Sequence, residues 1–199
     1  MPNLNGKQYA MNAISPMKPW KSWIVRGFFL FLGYFPGAGR DLNNLSFIHF
    51  ARWVIVGRKQ FPRLDPNRAE HKDNLRYDYL LFFSNFNGTW NQYIDAFSAV
   101  LSAGLDFIWR RSEKYPGAVP VTPFKTYIQR GQFETDYYYS AYPHAATNDV
   151  KAAHRVQAAF DSLDAKRDLP PAEFEQAYRQ FVLQVQTDLG ATGEAPVGT

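Results

Sequence analysis

The stretch Tyr79–Gly104, YLLFFSNFNGTWNQYIDAFSAVLSAG, limits the possible folds more than any other part of the chain. Leu80–Phe83 is an apolar, aromatic-rich run of strand length. Asn85, Asn87 and Gly88 are turn formers that tolerate positive φ. Thr89 followed by Gln92 has the make-up of a capping box. Trp90, Tyr93, Ile94, Phe97, Val100 and Leu101 then recur at helical spacing and predict one apolar face, with Gly104 as the stop. The reading is a strand, a tight turn and an amphipathic helix.

Elements upstream match this unit. Tyr9–Met17 reads as a strand ended by Pro16 and Pro19. Trp20–Tyr34 reads as a helix that is apolar around much of its girth. Trp23, Ile24, Gly27, Phe28, Phe31 and Leu32 share one face, and Lys21, Ser22 and Arg26 lie off it. Pro36-Gly37-Ala38-Gly39 ends that helix. Leu45–Val56, LSFIHFARWVIV, is the most β-prone run in the chain. Strand alternation sends Phe47, His49, Ala51, Trp53 and Ile55 one way, and Ile48, Phe50, Arg52, Val54 and Val56 the other. Gly57–Asp78 is polar and charged and reads as an exposed loop.

Downstream, Leu105–Tyr115 reads as a further helical piece and Phe124–Arg130 as a short helix. Gln132–Tyr142 reads as a fourth strand carrying Tyr137, Tyr138 and Tyr139. Thr147 is placed to cap a third helix, and Asp168-Leu-Pro-Pro to start the last one. The order βαββαβ followed by two helices predicts an α+β, ferredoxin-like antiparallel sheet with helices on one face and extra C-terminal helices. Residues 1–165 form the expected domain, 166–190 a C-terminal helix and 191–199 a disordered tail. The sheet's other face, rich in aromatics, needs a cover, for which a second copy of the chain is one source.

Composition narrows the function classes. Aromatic residues make up 17% of the 199, which suits a large aromatic core or a surface that binds something flat or oily. The net charge of +4 comes without a Lys/Arg block, so no nucleic-acid partner is expected. Cysteine is absent, which removes disulfides, thiolate zinc sites and thiol nucleophiles. The N-terminus has no secretory apolar core, and Gly27–Phe35 falls short of the roughly 18 apolar residues of a spanning helix, so the expected location is cytoplasmic with membrane-surface contact open. Motifs for nucleotide binding and serine hydrolysis are missing.

The candidate ligand-binding residues are His49, Arg52, Asn85, Asn87, Tyr137 and Tyr139. Arg52 suits a carboxylate or phosphate, or a structural ion pair with Asp78, Asp95 or Asp136. His49 and Arg52 share a pocket only if their strand bulges. Asn85, Asn87 and Gly88 precede a helix N-terminus, where free N–H groups hold anions. Tyr137 and Tyr139 fall on one face of their expected strand and Tyr138 on the other.

The runs IHFARWVIV, LLFFSNFNGTWNQYIDAF and DYYYSAYP, within residues 8 to 163, together resemble an uncharacterised bacterial family. That family is similar to the dimeric α/β-barrel proteins, which include dye-decolorizing peroxidases and chlorite dismutase-like haem proteins. The resemblance implies a homodimer. It also implies haem as cofactor, with His154 as proximal ligand, Arg52 on the distal side and peroxidase-like oxidoreductase chemistry. The GxxDG motif of dye-decolorizing peroxidases is absent; Asn85–Gly88, NFNG, has no aspartate to act as distal acid/base. Three readings follow: a binding domain for a small apolar or aromatic ligand, a haem-dependent oxidoreductase, and a peripheral membrane or partner-binding protein that uses Trp20–Phe35 as an apolar handle. The first requires a pocket with Arg52 or His49, the second a cavity facing His154, and the third a large exposed apolar patch.

Overall fold

A computed structural model describes residues 3–34, 47–59 and 75–189. The expectations for Leu45 and Ser46, for Pro36–Gly39, for most of the Gly57–Asp78 connection and for the 191–199 tail lie outside the described residues. The strands are β1 (Leu4–Asn5), β2 (Gln8–Met17), β3 (Ile48–Val56), β4 (Asp78–Asn87) and β5 (Gln132–Phe133). The helices are α1 (Pro19–Tyr34), α2 (Trp90–Trp109), α3 (Val121–Gly131), α4 (Thr147–Asp164) and α5 (Pro171–Val185). The protein is α+β with one antiparallel sheet. Central β4 pairs with β2 along one side and β3 along the other, and β1 and β5 attach to the far side of β2.

The register sorts the strand residues. Met11, Ala13, Ser15 and Met17 of β2 lie opposite Ser84, Phe82, Leu80 and Asp78 of β4, and all eight are buried. On β3, Ala51, Trp53 and Ile55 follow the same face. Aromatic rings join sheet to helix. Tyr9 stacks on Phe86 at 5.2 Å, Phe86 on Tyr93 at 3.9 Å, and Tyr93 on Phe97 at 5.2 Å. Phe97 meets Phe82, which meets both Trp53 and Trp109 at 5.0 and 5.2 Å. A large part of the aromatic share is therefore core, where offset and edge contacts add to burial.

Helix α2 starts as its sequence requires. Thr89 Oγ1 accepts from the Gln92 N–H, and Gln92 Oε1 accepts from the Thr89 N–H at 3.2 Å. The turn before it uses Gly88 at φ +96°, where a side chain would be strained. Gly104 does not stop the helix. Its backbone stays helical to Trp109, because Leu105, Ile108 and Trp109 continue the buried stripe. A kink at Leu101 (φ −116°, ψ 18°) realigns that stripe and leaves Val100 exposed.

Other expectations are corrected. Asn85 and Asn87 are the last residues of β4, not turn residues. The strand expected over Gln132–Tyr142 pairs only at Gln132 and Phe133, opposite Ala13 and Asn12. Beyond it the chain is irregular, and side-chain amides take the place of a ladder: Asn5 Nδ2 donates to the Tyr138 carbonyl at 3.3 Å and Gln8 Nε2 to that of Tyr142 at 3.1 Å. Thr147 lies inside α4 rather than capping it; Asp149 accepts from the Ala146 N–H. Helices α4 and α5 pack on each other through Phe160 and Phe181, with Arg155 Nε donating to Asp188 at 2.9 Å.

The largest departure is in α1. Ser22 and Val25 are buried, whereas Trp20 and Trp23 are 65% and 75% exposed. The Ser22 hydroxyl donates to Asp78 Oδ2, and Asp78 Oδ1 accepts from the Arg58 N–H at 2.8 Å. A buried carboxylate needs such donors. With Ser22 on Asp78, the apolar stripe of Trp23, Ile24 and Phe31 faces outward, and Phe28 and Phe29 pack against the core.

Candidate functional site

The candidate residues do not converge on one pocket. A register shift between Ile48 and Phe50 makes a bulge at His49. Ile48, opposite Phe86, therefore joins the inward set, contrary to plain alternation. His49 is half-buried, and its Nε2 is enclosed without a hydrogen-bond partner. Burial lowers its pKa, against a smaller opposing effect of the Asn87 side chain. Arg52 lies on the opposite, outward face and is exposed, with its guanidinium 4.9 Å from the Phe83 ring centroid. Two of the carboxylates considered as its partners are engaged elsewhere: Asp78 as above, and Asp95 with Lys125 at 2.7 Å.

Asn85 and Asn87 are both committed to holding the fold. Asn85 Nδ2 donates to the Tyr138 hydroxyl, which donates to Gln8 Oε1 at 2.9 Å. Asn87 Nδ2 donates to the Lys7 carbonyl at 3.1 Å, while its Oδ1 accepts from the Thr147 N–H at 3.0 Å. The amides that precede α2 thus serve the turn before β2, Tyr138 and the start of α4 rather than an anion. Tyr137 and Tyr139 are strongly exposed, and Tyr138 between them is the tyrosine turned to the sheet. Their exposure alternates as expected, although no ladder continues past Phe133.

His154 is exposed on α4. The residues around it do not fit a haem. A proximal histidine must face an enclosed apolar cavity, whereas His154 is exposed and does not line the cleft between Val121–Gly131, Glu113–Pro116 and β2. Nor do the described residues bring three or more His, Asp or Glu side chains together as a metal site would.

Two other features stand out. The first is the outward face of α1: Trp20, Trp23, Ile24, Leu30, Phe31 and Tyr34, all exposed. They recur at i, i+3, i+4, i+10, i+11 and i+14, and so lie on one stripe. With roughly 150–250 Å² per aromatic side chain, the stripe exposes on the order of 600 Å², the upper end for a monomer's largest apolar patch. No acidic residue lies between Met17 and Tyr34. The pairing of Met17 with Asp78 and of Val56 with Tyr79 brings Lys18, Arg58, Lys59 and Arg76, all exposed, to the sheet end beside the first turn of α1. The second feature is a cleft of about 670 Å³ between α3, the Glu113–Pro116 segment and β2. The sequence carried the signal for the first in its apolar girth, and gave none for the second.

Comparison with known proteins returns no matching family model, no matching curated protein and no matching solved structure.

Proposed function

We propose that the protein is a peripheral membrane-binding protein that lays α1 on an anionic lipid surface. One observation carries this reading: α1 buries Ser22 and exposes Trp23. A helix whose outward face is Trp, Ile, Leu, Phe and Tyr is matched to the boundary between headgroups and acyl chains, where indole and phenol rings have both an apolar body and a polar edge. The four exposed cations beside its first turn add attraction to acidic headgroups. Among the described residues no helix is long and apolar enough to cross a membrane, so the contact would be with the surface.

The neighbour order β5, β2, β4, β3 supports a ferredoxin-like arrangement in which the fourth strand is cut to two residues. Homodimerisation of the α/β-barrel kind would use the sheet's outward face, which carries Phe50, Val54, Leu81 and Phe83.

Co-sedimentation with phosphatidylcholine vesicles, with and without phosphatidylglycerol, tests the membrane reading. Binding is expected to the anionic vesicles, weakened by salt and lost in Trp20→Asp/Trp23→Asp. Absence of binding to anionic vesicles would overturn it. Self-association that depends on Trp23 in the absence of lipid would assign the stripe to a second copy instead.

A further inference from the structure

The cleft beside β2 has defined walls. Gln132 and Phe133 tie the end of α3 to Ala13 and Asn12. Gly131 makes this approach possible, since a Cβ there would lie 2.4 Å from the Ile14 carbonyl oxygen. At the other side the Glu113 N–H donates to the Pro16 carbonyl at 2.8 Å, and Ser112 bridges Met17. Ile14 and Pro16 floor the space between these two attachments, and Pro116, Pro123 and the ring of Tyr127 wall it. Its volume of about 670 Å³ lies within the range of small-molecule sites.

Charge at the mouth is unbalanced. Lys114 and Arg130 both line the cleft and are exposed, and neither forms an ion pair among the described residues. The one acid there, Glu113, lies 4.0 Å from Lys21. Lys114 also holds φ +60°, a conformation uncommon for a residue other than glycine. Apolar walls with two unpaired cations at the rim suit a ligand of the opposite make-up. We infer that the cleft binds an amphipathic organic anion, its apolar body on Ile14, Pro16 and Tyr127 and its carboxylate drawn to Lys114 and Arg130. The inference does not depend on the membrane reading, because the cleft shares no residue with the α1 stripe.

Calorimetric titration with decanoate, kept below its micellar concentration, tests this, with decanol as the uncharged counterpart. Saturable one-to-one binding of decanoate is expected, with decanol at least about tenfold weaker, in line with the loss of a charge-assisted contact. Lys114→Asn/Arg130→Gln is expected to weaken decanoate by about tenfold or more; asparagine is chosen because it tolerates positive φ. Thr126→Trp, a bulky change at an exposed lining position, is expected to block binding with both cations intact. Lack of saturable binding, or equal affinity for decanoate and decanol, would overturn the inference. So would binding that survives both cleft variants but disappears in Trp23→Asp, since that would locate it on α1.

Discussion

Helices α1 and α2 flank the same sheet and are both rich in aromatics, yet they treat their apolar stripes in opposite ways. In α2 the stripe of Tyr93, Ile94 and Phe97 enters the core, while Asn91, Gln92 and Asp95 meet water. In α1 the tryptophans face out and a serine faces in. The difference lies at one end of β4. Ser84, beneath α2, has its hydroxyl satisfied by Tyr93 from the helix and by the Phe50 carbonyl from the sheet. Asp78, beneath α1, is a carboxylate that only accepts, and it takes the hydroxyl of Ser22. Periodicity says which face of a helix is apolar; in both helices the face turned inward is the one that bonds to a polar group on the sheet.

The sharpest way to break this comparison is to truncate one aromatic on each helix. Phe97→Ala is expected to lose about 3–5 kcal/mol in urea denaturation, the usual cost of emptying a buried aromatic site. Trp23→Ser is expected to stay within about 0.5 kcal/mol, as exposed substitutions do. Comparable losses would mean that the α1 stripe is covered in solution. Next in size is Asp78→Ala, which leaves the Arg58 N–H without its acceptor and the Ser22 hydroxyl with the Pro19 carbonyl alone; about 1–3 kcal/mol should be lost. Tryptophan emission should also shift to the blue if the carboxylate is what keeps Trp20 and Trp23 in water, and an unchanged spectrum would assign the helix's rotation to packing alone. The smallest effect belongs to Gly104→Ala. Nothing lies within 4 Å of the added methyl, and the position is helical. A gain of about 0.5–1 kcal/mol is expected in thermal or urea unfolding; a loss would show that the kink at Leu101 needs the glycine.

Local signals made much of the frame legible. The capping box at Thr89, the extents of β2 and α1 and the pairing-prone runs of β3 and β4 all follow from nearest neighbours in sequence. What escaped depended on partners far along the chain. The bulge at His49 is a property of two strands together. Tyr137 and Tyr139 read as strand residues, but the register beyond Phe133 is given up because amides from β1 and β2 satisfy the backbone there. Gly104 is a stop signal outweighed by Leu105, Ile108 and Trp109. The cleft was not legible because its walls come from residues about a hundred positions apart, and the α1 stripe was legible as apolar, with exposure one of the readings it left open.

The piecemeal pairing along the outer side of β2 has a consequence for colloidal behaviour. Leu4–Asn5, Gln132–Phe133 and the Ser112–Glu113 attachment each cover a short length, so this side of β2 offers no long row of free N–H and carbonyl groups to a strand from another molecule. Any side chain at position 131 would push β5 away from Ile14 and remove the middle guard. The damage would then appear as intermolecular β-pairing and lost solubility, well before the aromatic core began to melt.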